Sequence, residues 1–176
     1  MTRSELEHVI RAAGRIARDN QIVVIGSQAV LGQFPDAPEP LLASMEADVY
    51  PRNHPERADL IDGAIGEGSS FHEQFGYYAQ GVGETTATLP KGWRKRLVRV
   101  KSPGTGDAEG LCLEVHDLAI SKYVAGRPKD LAFTRVLARH GLAQEATLLE
   151  RAAATKLEPA LLKLVRGRIR RDFPAG

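Results

Sequence analysis

A chain of 176 residues with 43% hydrophobic and 26% charged residues can bury a real core, and its composition excludes a disordered tail or a fibrous repeat. The formal net charge of +2 is too small to mark the whole surface as nucleic-acid binding, so any polyanion site has to come from local clusters such as residues 91–101 and 166–171. The single cysteine, Cys112, excludes an internal disulfide and a multi-cysteine zinc site; with no membrane-length apolar run and no signal-peptide core, the expected location is the cytoplasm.

Ser4 followed by Glu7 is a capping-box pattern, and Leu6, Ile10, Ala13 and Ile16 or Ala17 recur at helical spacing, which predicts an amphipathic helix ending near Asn20. Ile22, Val23, Val24 and Ile25 form a continuous apolar run that stops at Gly26, the pattern of a strand buried on both faces. Residues 27–33 read as a short helix directly after it, and Pro35, Pro38 and Pro40 then impose a loop. A second strand is predicted over 45–50, stopped by Pro51, and Pro55 opens a helix that ends between Gly63 and Gly68. Residues 77–82, 85–89, 96–101 and 111–115 read as further strands. Residues 117–125, 128–139, 144–154 and 158–171 read as helices. The expected fold class is α+β: a mixed sheet with flanking helices over residues 1–115, followed by a C-terminal helical bundle over 116–176 packed on it.

Two patterns carry chemistry. Gly26-Ser27 lies where a buried strand turns into a helix, a place where backbone N–H groups can meet phosphate oxygens; a tight turn with an N-cap is the structural alternative. Glu46 and Asp48 are two apart on a predicted strand, so both carboxylates project from one face and repel unless a cation lies between them. Magnesium, or manganese in its place, suits such oxygen ligands and also bridges phosphates, which makes Glu46 and Asp48 the candidate metal ligands. Lys122, Arg127 and Lys129 gather three cations around a glycine turn and suit a triphosphate, although Lys129 and Asp130 also fit an ordinary charged first turn after Pro128.

Other residues carry less. His8, His54, His72, His116 and His140 have no metal-ligand spacing, Ser27 lacks the surrounding elbow of a hydrolase, and Cys112 lies in an apolar strand. Trp93, among Lys91, Arg94, Lys95 and Arg96, is either a base-stacking platform or a turn residue sealing the sheet edge. Arg166, Arg168, Arg170 and Arg171 read as a solvated helix end, with an RNA backbone as the other reading.

Ile25-Gly26-Ser27 followed by an acid-x-acid strand resembles the signature of the DNA polymerase β-like, or minimal, nucleotidyltransferases. Residues 117–122, ending in Lys122, with Ala125-Gly126-Arg127-Pro128-Lys129-Asp130 are similar to the Lys…Arg-x-Lys-Asp segment of the AbiEii and MenT toxin-type enzymes. The resemblance implies a nucleotidyltransferase that moves a nucleoside monophosphate from a triphosphate to a tRNA 3′ end or a protein hydroxyl, as the toxin of a bacterial toxin–antitoxin pair with a cognate antitoxin. It implies Asp48, Glu46, Lys122 and Asp130 as catalytic residues and Gly26, Ser27, Lys122, Arg127 and Lys129 as nucleotide-binding ones. The chain departs from the family pattern in a longer spacing between Ser27 and Glu46, in glutamate as the first acid, and in Gln80 where a neighbouring strand usually supplies a third carboxylate. Glu84, Glu114 and Asp130 are the substitutes. The alternative function is a catalytically impaired, antitoxin-like binding protein; a small-molecule adenylyltransferase of the aminoglycoside type fits the basic stretches poorly.

Overall fold

The computed structural model describes residues 1–174, which divide into two compact units. The first comprises Met1–Thr86 and Leu97–Glu114; the second comprises Ala87–Arg96 and the chain from Val115 onward. The architecture is α+β with a mixed sheet, as the sequence predicts.

In the first unit, helix α1 (Arg3–Ala17) starts one cap earlier than the Ser4/Glu7 pattern suggests: Thr2 is the N-cap and Glu5 completes the capping box. Thr2 wins because its position lets Leu6, Val9, Ile10, Ala13 and Ala17 fall on the buried face. Strand β1 (Gln21–Val24) pairs antiparallel with β2 (Glu46–Pro51) and parallel with β5 (Glu109–Cys112). Strand β3 (Tyr78–Gly81) lies parallel to β2, and β4 (Val98–Val100) antiparallel to β5, giving the order β3-β2-β1-β5-β4. Central β1 is buried on both faces, which explains its unbroken run of Ile and Val.

After β1 comes a 3₁₀ turn, Ser27–Ala29, and then one turn of helix, α2 (Val30–Gln33). Helix α3 (Ala58–Ile65) follows a 3₁₀ turn at Pro55–Arg57 and stops at Gly66. A further helix, α4 (Ser70–Phe75), capped by the Ser69 side chain, has no counterpart in the sequence reading. The strand expected over 85–89 does not form. Glu84–Thr86 is a 3₁₀ turn, and Thr85, Thr86 and Thr88 are exposed, so their β-branched side chains have no half-buried surface to pack on.

The second unit holds α5 (Val115–Ala125), α6 (Pro128–Arg139), α7 (Glu145–Ala153) and α8 (Pro159–Asp172). Helix α5 is buried over consecutive positions from Val115 to Ile120, so Asp117 lies inside the protein at 0% exposure. Arg96 answers it with two parallel hydrogen bonds, Nε to Oδ2 at 2.8 Å and Nη2 to Oδ1 at 2.9 Å, and the Arg151 guanidinium stands 3.7 Å away. This pairing accounts for the 87–96 segment belonging to the helical unit. Trp93 in that segment is 8% exposed and carries the Arg94 guanidinium 4.8 Å over its ring. A tryptophan so covered by its own chain offers no stacking platform. Among the described residues no helix is long and apolar enough to cross a membrane.

Candidate functional site

The candidate site of the first unit is built at the end of β1. The Ile25 amide donates to the Asp48 carbonyl at 3.0 Å, so the chain leaves the sheet with Gly26 lying against β2. Gly26 has an ordinary extended conformation, φ −82° and ψ −172°, and glycine is required there by space: a Cβ would lie 2.8 Å from Asp48 Cγ and overlap the carboxylate. The Asp48 side chain therefore covers Gly26 at the mouth of the Ser27–Ala29 turn. Alternation along β2 puts Glu46, Asp48 and Tyr50 on one face.

Register adds the neighbours. Tyr78 lies abreast of Glu46, and Gln80 abreast of Asp48. The Tyr78 hydroxyl donates to Glu46 Oε2 at 2.9 Å. Burial, that hydrogen bond and the negative charges of Glu46, Glu67 and Asp48 push the Tyr78 hydroxyl up to about 12, so it remains a protonated donor at neutral pH. Three carboxylates thus act on one phenol, a field that favours a cation. Gln80 stands beside Asp48, as expected from the family resemblance, and as an amide it is no anionic base. On the Tyr50 side, the Tyr50 hydroxyl donates to Glu84 Oε1 at 3.3 Å. Glu114 lies two residues beyond Cys112, the last residue of β5 paired with β1.

Among the described residues no group of three or more His, Cys, Asp or Glu side chains could hold a metal ion. The donor set still suits magnesium, which takes one or two carboxylates from a protein and fills its octahedron with phosphate oxygens and water. Ser27 is half-buried beside the pair. The helical stretch after it is only a 3₁₀ turn and one α-turn, so any attraction for phosphate rests on individual N–H groups rather than a macrodipole. Gln28 is fully buried with neither amide atom hydrogen-bonded, an arrangement that costs about 1–3 kcal/mol. Nothing in the sequence singles it out.

In the second unit Lys122, Arg127 and Asp130 come together, and Lys129 is exposed. Asp130, 1% exposed, accepts from Arg127 Nε at 2.6 Å and Nη2 at 3.2 Å, and Lys122 Nζ lies 3.5 Å away. Burial alone would raise the Asp130 carboxyl, but the Arg127 hydrogen bond and the Lys122 and Arg127 charges outweigh it and hold the group below the usual carboxylate range. Lys122 also lies 5.8 Å over the Phe133 ring. Two of the three cations assigned to a triphosphate are therefore engaged with the acid assigned to catalysis.

The remaining residues behave structurally. His116 accepts from the Gln144 amide at 3.0 Å, and burial pushes the Cys112 thiol up to about 12, which keeps it protonated and unreactive.

A mixed sheet whose first strand ends in Gly-Ser under an acid-x-acid strand defines a nucleotidyltransferase-like core. The chain belongs to the family described as nucleotidyltransferase of unknown function (DUF6036), which matches residues 4–141. No curated protein and no solved structure matches the chain.

Proposed function

We propose that the protein is a magnesium-dependent nucleotidyltransferase acting in the bacterial cytoplasm. It would transfer a nucleoside monophosphate from a triphosphate to a hydroxyl on RNA or on a protein. The single observation that carries this reading is the Asp48 carboxylate lying directly over Gly26, with Glu46 on the same face of β2. Glu46 and Asp48 would hold the cation, and Gly26 and Ser27 the phosphates. When bound, the divalent ion, magnesium or manganese, supplies positive charge against which the triphosphate oxygens are aligned and neutralised. The acceptor oxygen forms a bond to the α-phosphorus, the bond to the bridging oxygen breaks, pyrophosphate leaves and the hydroxyl proton passes to water, because Gln80 cannot take it. Catalysis of this kind rests on position and charge more than on covalent chemistry. The toxin role with a cognate antitoxin rests on the sequence resemblance of the 117–130 segment alone.

Incubation with α-labelled nucleoside triphosphates, magnesium, total tRNA and a protein extract tests the proposal. Wild type is expected to label RNA or protein, and Asp48→Asn to reduce labelling by about 100-fold or more. Labelling that is absent, or equal in the variant, contradicts it. Gln80 abreast of Asp48 favours a second reading, a protein that binds triphosphate without turnover. Tight binding without labelling, together with labelling gained by Gln80→Asp, would establish that reading instead.

A further inference from the structure

Arg11 and Arg15 stand four residues apart on one face of helix α1, and Arg18 follows as its C-cap in the left-handed conformation. Among the described residues no carboxylate pairs with any of the three. Together with Asn20, Asn53, His54 and Thr105 they line a cavity of about 540 Å³. The acid in its wall, Asp19, is 5% exposed and saturated: it accepts from the Gln21 amide at 3.0 Å, the Asn53 amide at 2.7 Å, Asn53 Nδ2 at 2.8 Å and the His54 amide at 3.1 Å. Asp107 is the remaining acid of the lining, and it is exposed.

Arg11 and Arg15 also wall a second groove, of about 560 Å³, whose other side is His8, Phe71 and Phe75. The rings of His8 and Phe75 meet edge to face at 4.8 Å, and Phe75 is still 41% exposed. Tyr77 closes this cluster, with its hydroxyl 2.8 Å from His8 Nδ1.

A small phosphorylated ligand would fill the first cavity and leave the aromatic groove unused. A single strand of nucleic acid presents a phosphate and an unpaired base in every nucleotide, and it uses both. We propose that this face of α1 binds single-stranded nucleic acid, with backbone phosphates on Arg11, Arg15 and Arg18 and a base against Phe75. Helix α1 packs, through Ile10 over Gly110, on the face of the sheet opposite Glu46 and Asp48, so this surface is separate from the carboxylate pair. The proposal goes beyond the nucleotidyltransferase reading by adding a polynucleotide-binding surface apart from Glu46 and Asp48.

The test is fluorescence anisotropy with labelled single-stranded 12-nucleotide RNA and DNA, without triphosphate, at several salt concentrations. Arg15 and Arg18 are exposed, so Arg15→Ala/Arg18→Ala leaves the core intact. That pair is expected to weaken binding at least tenfold and to flatten the log–log salt dependence by about 1.4, or about 0.7 per phosphate contact. Phe75→Ala is expected to weaken binding about fivefold or more at unchanged salt dependence. Asp48→Asn is expected to bind as wild type does, so a failed transfer assay and a failed binding assay remain distinguishable. Tighter binding of the RNA or of the DNA assigns the source. No binding of either oligonucleotide, or full binding by the variants, overturns the proposal, and so does Arg15- and Arg18-dependent binding of a poly-glutamate peptide in place of nucleic acid.

Discussion

Asp117 and Asp130 in the helical unit are almost completely buried, the first clasped by the Arg96 and Arg151 guanidinium groups and the second by Arg127 and Lys122. Glu46, on β2 of the sheet unit, is half-buried, and its hydrogen bond comes from a neutral phenol. Acids of the first kind have spent their charge on internal partners, and their removal leaves cations stranded in a poorly solvated place. Glu46 keeps its charge available, and that of Asp48 acts with it on the same phenol. Structural carboxylates and candidate metal ligands are separated here by the chemistry of their neighbours more than by their place in the sequence.

The largest expected effect breaks the structural side of this contrast. Asp117→Ala leaves Arg96 and Arg151, each less than a quarter exposed, without their shared counter-charge. A loss of about 3–5 kcal/mol in urea denaturation is expected, and a loss below about 1 kcal/mol would mean the cluster is no more than a surface pair. Gly26→Ala acts on the other side by pushing a methyl group into the Asp48 carboxylate. It should cost about 1–3 kcal/mol in stability while weakening magnesium-triphosphate binding at least tenfold by calorimetry.

A smaller effect sharpens the role of Asp130. Its folded carboxyl lies below the usual value of about 4, so its contribution to stability is complete above that pH and is lost as pH falls through the folded value. Asp130→Asn should flatten the acid limb of the stability profile; an unchanged limb would show that the clasp contributes nothing. Tyr78→Phe is the mildest change, about 1 kcal/mol for the lost hydrogen bond. Because the Tyr78 hydroxyl is raised to about 12, the stability it contributes is present below about pH 10 and is lost on the way to 12. The variant should lose that alkaline decline, as read by thermal melting across the range.

Long periodic elements were legible from the chain: α1, α6 and α8 follow from apolar spacing and proline starts, and β1 from its uninterrupted run. Gln80 beside Asp48 was expected from the family resemblance, and the parallel β2–β3 register places it there. Short elements were not legible. Helix α4 has six residues, too few for a period to declare itself, and the threonines of 85–89 look β-forming only until their exposure is known. Tyr78 and Asp19 owe their importance to partners far along the chain, Glu46 in one case and Asn53 with His54 in the other. Arg11, Arg15 and Arg18 are plain in the sequence, but only the absence of counter-charges and the ring of Phe75 beside Arg11 and Arg15 give them meaning.

The most direct measurement is calorimetric titration of a non-hydrolysable nucleoside triphosphate into wild type, Glu46→Gln and Asp48→Asn, with magnesium and with chelator. The carboxylate pair predicts binding that requires magnesium and weakens at least tenfold in either variant, with thermal stability retained. Equal binding in chelator, or equal binding by both variants, would contradict a cation site at Glu46 and Asp48.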